Sequence, residues 1–194
     1  IDIANWIVES VAKRVASFGG LNFFKPENAH HVQRLGSDKD GKAAYSAMGG
    51  LANQNPFHSE KDIVDNQVVI LEYQNDVRAT FHTNLNAAIP ERRMYILGTD
   101  GAIRADVLTG EIHIKRIGFD TQMEDKSTYA KGNHGDGDNI LVKELAESML
   151  NQTAPSVGLM EGLTSAVTCF AIDDAMDRGI VVNMAPYWDK VGVT

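Results

Sequence analysis

The chain has 194 residues, 43% hydrophobic and 23% charged, which is typical of a globular domain with one sizeable core. Its formal net charge of −8 argues against a nucleic-acid partner, because phosphate binding needs clustered Lys and Arg; no apolar run approaches the roughly 18 residues of a membrane span. The single cysteine, Cys169, excludes an internal disulfide and a zinc site built from this chain's cysteines alone; we expect it in the core, and this usage favours the cytoplasm.

The first predicted element is a helix over residues 2 to about 14, because Ile3, Ile7 and Val11 recur at helical spacing. A strand is predicted from 15 to 21, where two glycines end it. Residues 22–65 lose this regularity and contain several Pro and Gly residues, which predicts a long irregular excursion with room for one short helix.

The pattern then changes to period two, which predicts consecutive strands over 67–73, 77–85, 92–98, 102–108 and 111–117. Asn75-Asp76 is expected to form the turn of the first hairpin. A loop over 118–138, a helix with the stripe Leu141, Leu145 and Met149, a buried helix over 159–178, a short strand over 180–184 and an irregular tail complete the chain. This order predicts an α+β fold: a largely antiparallel, open-faced β-sheet with helices on one face.

The face of the sheet that the helices leave open is predicted to be polar. Arg78, Thr80 and His82 share it on one strand, while Arg104 and His113 point outward on later strands. Such a face is either solvated or packed against a second copy of the chain, and the pattern favours neither.

One residue is the best candidate for a substrate contact. His134 lies in a glycine-rich segment just before a predicted helix, where the backbone can approach a ligand closely; a surface histidine in an N-cap loop is the alternative. Asp2 opens the first helix, where its simplest role is a first-turn acid that the helix dipole favours; a functional role would depend on the residues that precede it. His30, His31 and His58 lie in the excursion, where a metal site is conceivable, although a loop surface is the simpler interpretation.

The chain contains no Gly-x-Gly-x-x-Gly between a strand and a helix, and no P-loop. A dinucleotide would therefore have to be held mainly by another domain.

Several segments together resemble the Gfo/Idh/MocA oxidoreductases, the family of glucose-fructose oxidoreductase and inositol dehydrogenase. The run IDIANW at residues 1–6 is similar to the segment at the family's catalytic histidine, where His-x-Ile-Asp or His-x-x-Asp precedes an apolar helix. The strand–turn–strand at 69–81 and the GTDG corner at 98–101 are also similar. NHGDGD at 133–138 resembles a His-Gly-Gly-x-Asp loop near the sugar site. The resemblance extends over nearly the whole chain.

The resemblance implies that residues 1–194 are a single C-terminal substrate-binding and oligomerisation domain of the glucose-fructose oxidoreductase type (GAPDH C-terminal-like). The N-terminal Rossmann domain, the Glu-Lys-Pro lysine and the catalytic histidine would lie outside the sequence. Asp2 would be the remnant of the His-x-x-Asp motif and would bind substrate together with His134.

The implied reaction is hydride transfer between NAD or NADP and a sugar, cyclitol or related polyol, with the absent histidine as general acid and base. The cofactor would be held by the other domain, so this chain by itself is expected to bind none and to be inactive. The implied assembly is a homodimer or tetramer through the open sheet face. The alternatives are a non-enzymatic dimerisation or scaffold module and an NAD-dependent glycoside hydrolase of the same family.

Overall fold

A computed structural model describes residues 1–46, 55–128 and 137–193 of the chain. The chain divides into two compact units, of which unit 1 comprises Ile1–Asn86 with Leu159–Thr194 and unit 2 comprises Ala87–Gly158. The helices in the described ranges are α1 (Asp2–Val8), α2 (His30–Leu35), α3 (Gly137–Asn151), α4 (Leu159–Arg178) and α5 (Ala185–Val191), with a 3₁₀ turn at Pro26–Asn28. The strands are β1 (Ala12–Gly20), β2 (Asn66–Tyr73), β3 (Arg78–Asn84), β4 (Arg93–Leu97), β5 (Gly101–Asp106), β6 (Glu111–Arg116), β7 (Met123–Asp125) and β8 (Val182–Asn183).

Unit 1 is built on an antiparallel sheet in the order β3-β2-β1-β8. The predicted hairpin between β2 and β3 is confirmed, with Asp76 at a φ of 64° in the turn. Its backbone N–H donates to the carbonyl of Tyr73 over 3.1 Å, and Tyr73 N–H donates to Val77 over 2.9 Å. Asp tolerates this left-handed conformation better than most residues, which is why the turn forms there.

The core of unit 1 lies between this sheet and α4. Alternate residues of β2, Val69, Leu71 and Tyr73, are buried and meet one face of α4. Period-two alternation thus places the apolar side of the strand inward, as predicted. The bounds of α4 match the predicted helix, but it buries one face only, and Cys169 is exposed on its surface rather than in the core.

The end of the chain differs from the predicted irregular tail, because residues 185–191 form α5 with Pro186 in its first turn. Proline suits a helix start, where its missing N–H costs no hydrogen bond. Trp188 of α5 is 4% exposed, and its Nε1–H donates to the carbonyl of Ala12 over 2.7 Å. This bond fastens α5 to the beginning of β1.

The start of the chain also differs from the prediction. The first helix ends at Val8, where Glu9 takes a left-handed φ of 50°, and β1 already begins at Ala12. Residues from Ala12 onward pair with β2, with an irregularity between Ala12 and Arg14. Val11, which was expected on the helical stripe, therefore lies beyond the helix and packs against the core.

Unit 2 contains a second antiparallel sheet in the order β4-β5-β6-β7, together with α3. Ile96, Ile103 and Ile114 are directly opposed across three strands and share a face, as the alternation predicts. β7 lies in the segment predicted as loop, and the strands form two sheets of four rather than one. The α+β class is confirmed. Among the described helices, none has the length and apolar character needed to cross a membrane.

Candidate functional site

Asp2 stands in the first turn of α1 with its side chain exposed. Within the described part of the chain its carboxylate makes no hydrogen bond and no ion pair. A first-turn carboxylate suits the positive end of a helix. Because none of its lone pairs is used by a described neighbour, the group is available to a ligand or to a residue outside the described ranges.

The inward-facing side of α1 is attached to the rest of unit 1 by hydrogen bonds as well as by apolar packing. The hydroxyl of Tyr73, itself fully buried, donates to Oδ1 of Asn5 over 3.2 Å, and Nδ2 of Asn75 donates to the carbonyl of Val8 over 2.8 Å. Burial raises the pKa of Tyr73, so the phenol stays protonated and remains a donor. Nδ2 of Asn5 is buried without a hydrogen-bond partner among the described residues. Sequence reasoning did not single out Asn5, although a lone amide in the apolar run IDIANW is a usable signal.

His134 lies outside the described residues. The pairing of Asp2 with His134 in one site therefore stays a prediction.

The excursion after β1 is organised by a buried carboxylate, Asp65, which is 3% exposed. Its Oδ2 accepts from the backbone N–H of Phe23 (2.7 Å) and Phe24 (2.8 Å), and its Oδ1 from that of Asn22 (3.0 Å) and from Nδ2 of Asn66 (2.9 Å). Burial by itself would raise the pKa of Asp65, but these donors outweigh it, so the pKa lies below its ordinary value. The sequence around Asp65 does not indicate that its hydrogen-bond partners lie 41–43 residues earlier.

An aromatic cluster packs behind this carboxylate. The rings of Phe23, Phe24, Tyr45 and Phe57 have centroids 5.0–5.8 Å apart, and His31 stacks on Phe23 at 5.3 Å. Phe57 is fully buried. The excursion is thus a packed structure with its own small core in the ranges 22–46 and 55–65.

His31 is hydrogen-bonded to a neighbouring arginine in the described part of the excursion. Nε of Arg34 donates to Nδ1 of His31 over 2.9 Å, and desolvation with the nearby charges of His30 and Arg34 lowers the pKa of His31. Within the described residues no group of three or more His, Cys, Asp or Glu is placed to hold a metal ion. His30 and His31 lie on α2 rather than in a loop, and His31 stacks on Phe23.

Two open grooves on the described surface are lined mainly by residues of polar types. One, of about 380 Å³, is lined by Asn55, His58, Ser59 and Glu60 in the excursion. The other, of about 310 Å³, lies on the polar side of the unit 2 sheet and is lined by Glu91, Arg93, Arg104, Ala105, Asp106, Glu111 and His113. Nδ1 of His113 is buried there without a partner among the described residues, whereas Arg93 is paired with Glu91 at 2.7 Å. Neither groove contains a described hydrogen bond between a nucleophile and a general base.

The fold is that of a domain present in solved sugar oxidoreductases. A levoglucosan dehydrogenase in complex with NADH and levoglucosan is 14% identical with a TM-score of 0.68, covering 95% of this chain and 48% of that one. An aldose-aldose oxidoreductase from Caulobacter crescentus with glycerol is 14% identical with a TM-score of 0.61, covering 94% and 44%. A super-repressor mutant of Gal80p from Saccharomyces cerevisiae is 12% identical with a TM-score of 0.67, covering 96% and 47%. This chain therefore spans less than half the length of each of these three proteins.

Residues 1–104 match the family model described as the GFO/IDH/MocA C-terminal domain. This is more than half of the chain, and the chain belongs to the Gfo/Idh/MocA family. The resemblance stated from the sequence is thereby confirmed. No curated protein matches the chain by sequence.

The described strands do not form a Rossmann-type dinucleotide site. In that fold the cofactor lies where a strand of a parallel sheet turns through glycines into a helix, and every strand pair described here is antiparallel. The glycine pair that ends β1 serves packing, since a Cβ at Gly19 would lie 2.5 Å from the carbonyl oxygen of Asn66. Gly19 lets β1 approach β2 and does not open a phosphate site.

Proposed function

We propose that the chain is the C-terminal, substrate-side domain of a cytoplasmic NAD(P)-dependent oxidoreductase that acts on a sugar, cyclitol or related polyol. The observation that carries this proposal is the match to the family's C-terminal domain. The likeness in fold to a levoglucosan dehydrogenase that holds NADH and levoglucosan supports the substrate class. NAD or NADP would be held by a second domain, and this chain by itself would be inactive.

The cofactor would supply or accept the hydride, and a histidine outside this sequence would exchange the proton of the substrate hydroxyl. The part of this chain would be to bind and orient. The free, exposed carboxylate of Asp2 can accept a hydrogen bond from a hydroxyl or from an imidazolium, and α1 holds it on a helix anchored through Asn5. We assign His134 to a second contact with the substrate.

The test uses the gene product that contains this chain. It should oxidise or reduce nicotinamide with at least one member of a panel of sugars and cyclitols, whereas the 194-residue chain should neither do so nor bind NAD(P)H. Asp2→Asn and His134→Gln should each lower kcat/KM by about 10- to 100-fold, because each removes a positioning contact. Asp62→Asn, at an exposed carboxylate that makes no described hydrogen bond, is the matched control and should leave kcat/KM unchanged.

Binding of NAD(P)H to the 194-residue chain at micromolar affinity would overturn this division of labour. A gene product that turns over no sugar or polyol would favour a second candidate, a non-enzymatic module. That candidate is favoured by one observation, the likeness in fold to a super-repressor mutant of Gal80p. Release of aryl alcohol from an aryl glycoside in the presence of NAD would instead indicate a glycoside hydrolase.

The proposed assembly uses the face of the unit 1 sheet that α4 does not cover. Directly opposed residues on antiparallel strands share a face, and the pairings place Phe18 beside Val68 and His82, with Ile70 in the next row. Phe18 is 69% exposed and Ile70 51%. The face is therefore polar on β3, as predicted, whereas its middle on β1 and β2 is apolar and is bordered by the Arg14–Glu72 ion pair, which was not predicted.

An apolar patch of this kind with a polar rim fits a second copy of the chain better than solvent. Light scattering on the 194-residue chain should show a dimer or a larger species. Phe18→Glu should dissociate it, because the substitution places a charge in the middle of the patch. Phe119→Glu is the matched control, since Phe119 is fully exposed in unit 2. Assemblies of equal size for the two variants would contradict the proposed interface.

A further inference from the structure

Asn5 is a polar side chain on the inward-facing side of α1, where Ile1 and Val8 pack against the core of unit 1. The residue is half-buried, and its Nδ2 atom is buried without a hydrogen-bond partner among the described residues. A buried amide without a partner is costly, so nearly every such group in a folded protein is hydrogen-bonded. Nδ2 of Asn5 is therefore a donor that calls for an acceptor.

The direction in which this donor points is fixed by Tyr73. The hydroxyl of Tyr73, which is fully buried, donates to Oδ1 of Asn5 over 3.2 Å, so Nδ2 is turned away from the tyrosine. A flipped amide would leave the hydroxyl hydrogen without its acceptor. The backbone of Asn5 is also held, because its N–H donates to the carbonyl of Ile1 over 3.0 Å and its carbonyl accepts from the N–H of Glu9.

An acceptor of the right kind lies one helical turn before Asn5. Asp2 and Asn5 are i, i+3 neighbours, whose Cβ atoms lie about 5–6 Å apart in an α-helix. The carboxylate of Asp2 is exposed and makes no hydrogen bond and no ion pair in the described part of the chain. Rotation of the Asp2 side chain toward Asn5 pairs one carboxylate oxygen with Nδ2, as amide and carboxylate side chains one turn apart do on helices. The second oxygen stays free.

We propose that Asn5 is a positioning residue for Asp2: its Nδ2 holds one carboxylate oxygen and leaves the other to accept a hydrogen bond from a substrate hydroxyl. The inference rests on the proposed function, in which Asp2 binds the polyol. A carboxylate that is oriented before the substrate arrives loses less conformational freedom on binding, which favours a productive geometry. Tyr73 acts on Asp2 through the amide that it orients.

The alternative role of Asn5 is to anchor α1 and nothing more. Asn75 provides the matched control, because its Nδ2 also attaches α1, at the carbonyl of Val8 over 2.8 Å, at the end of the helix opposite to Asp2. Asn5→Leu and Asn75→Leu each remove an attachment of α1, but only Asn5→Leu removes a donor one turn from Asp2. Loss of stability is therefore expected for both variants, whereas energetic coupling with Asp2 is expected for Asn5 alone.

A double-mutant cycle measures this coupling in the gene product that contains the chain, with the sugar or cyclitol of highest kcat/KM in the panel as the probe. Asn5→Leu should lower kcat/KM by about 10-fold in the native background and by less than about twofold in the Asp2→Ala background. Asn75→Leu should have the same effect in both backgrounds. Asn5→Ala, which adds no bulk, should reproduce the result of Asn5→Leu.

Tyr73→Phe tests the orientation of the amide. The substitution keeps the buried ring but removes the hydroxyl that fixes Oδ1, so the amide can turn its oxygen toward Asp2. It should lower kcat/KM by about two- to threefold when Asp2 is present and should have no effect on kcat/KM in the Asp2→Ala background.

The same cycle can be measured without a substrate. In the 194-residue chain, Asn5→Leu and Asp2→Ala together should lower the urea midpoint by less than the sum of their separate effects, because both remove the same hydrogen bond. The effects of Asn75→Leu and Asp2→Ala should be additive.

Additive effects of Asn5→Leu and Asp2→Ala on the urea midpoint would overturn the pairing of the two side chains. Additive effects on kcat/KM would overturn the positioning role, even if the urea midpoints are coupled. Coupled urea midpoints in the chain of a gene product that turns over no sugar or polyol would instead count against the proposed activity, and the pairing of Asn5 with Asp2 would stand.

Discussion

The side chain of Asp65 attaches the excursion after β1 to the sheet. Its replacement by asparagine should show how much this attachment contributes to the free energy of unfolding. Oδ2 accepts two backbone N–H groups, from Phe23 and Phe24, while Oδ1 accepts the N–H of Asn22 and an amide proton of Asn66. An asparagine has the same shape but only one acceptor oxygen. In either orientation its NH₂ group would face two donors that need an acceptor.

The size of the loss can be worked out from this geometry. A hydrogen bond to a charged group contributes about 1.5–3 kcal/mol, and two such bonds disappear, so Asp65→Asn should lower the free energy of unfolding by about 3–6 kcal/mol. Urea denaturation followed by circular dichroism measures it. Asp62→Asn removes a carboxylate three positions earlier that is exposed and has no described partner, and should change the free energy of unfolding by less than about 0.5 kcal/mol.

The pH dependence provides a second readout. Because the pKa of folded Asp65 is lowered, the unfolded chain binds the proton more tightly, and stability falls as the pH drops. The contribution of Asp65 should be fully present above the unfolded pKa of about 3.9 and should be lost as the pH falls through the lower folded pKa. The stability difference between the native chain and Asp65→Asn should narrow over that window. Equal unfolding free energies for Asp65→Asn and Asp62→Asn at neutral pH would refute the reasoning.

The remaining predictions concern α5. Trp188→Phe keeps an aromatic ring but leaves the carbonyl of Ala12 without its donor, so the free energy of unfolding measured in urea should fall by about 1–2 kcal/mol. Trp6→Phe, at an exposed ring, is the control and should change the free energy of unfolding little. Equal effects of the two substitutions would contradict the buried hydrogen bond. The hydroxyl of Tyr187 donates to Asp174 over 2.6 Å, and this bond raises the pKa of the phenol, so Asp174→Asn should lower that pKa in an NMR titration of the ring. An unchanged Tyr187 titration would show that the bond is absent in solution.

The sequence predicted an element correctly where the local pattern and the tertiary packing favour the same secondary structure. The β2–β3 hairpin combines period-two alternation with an Asn-Asp turn, and both operate within about 20 residues. The long helix α4 is bounded by Gly179, whose φ of 63° suits a helix end, and its predicted limits are those observed. In both cases the structure is determined by neighbours along the chain.

Contacts between residues that are far apart in the sequence could not be predicted from the local pattern. The role of Asp65 depends on N–H groups more than 40 residues earlier, and a lone aspartate has no period that would reveal them. The two-sheet arrangement of unit 1 and unit 2 is set by which strands pair, and alternation is the same whichever sheet a strand joins. Of the two predicted substrate contacts, Asp2 is placed on α1, whereas the position of His134 remains a prediction.

The predicted helix at the start of the chain was too long, because α1 ends at Val8 and β1 begins at Ala12. The predicted helix was extended through Val11 because Ile3, Ile7 and Val11 form a single stripe, and a single stripe was assumed to face the core. In the structure Val11 packs against the core beyond the helix, while Ile3 and Ile7 face outward with Trp6. Period analysis presumes that one stripe has one environment, whereas this stripe joins an exposed helix face to a residue that packs beyond the helix. A segment where that local rule fails is expected at a functional boundary, and here it falls on the helix that carries Asp2.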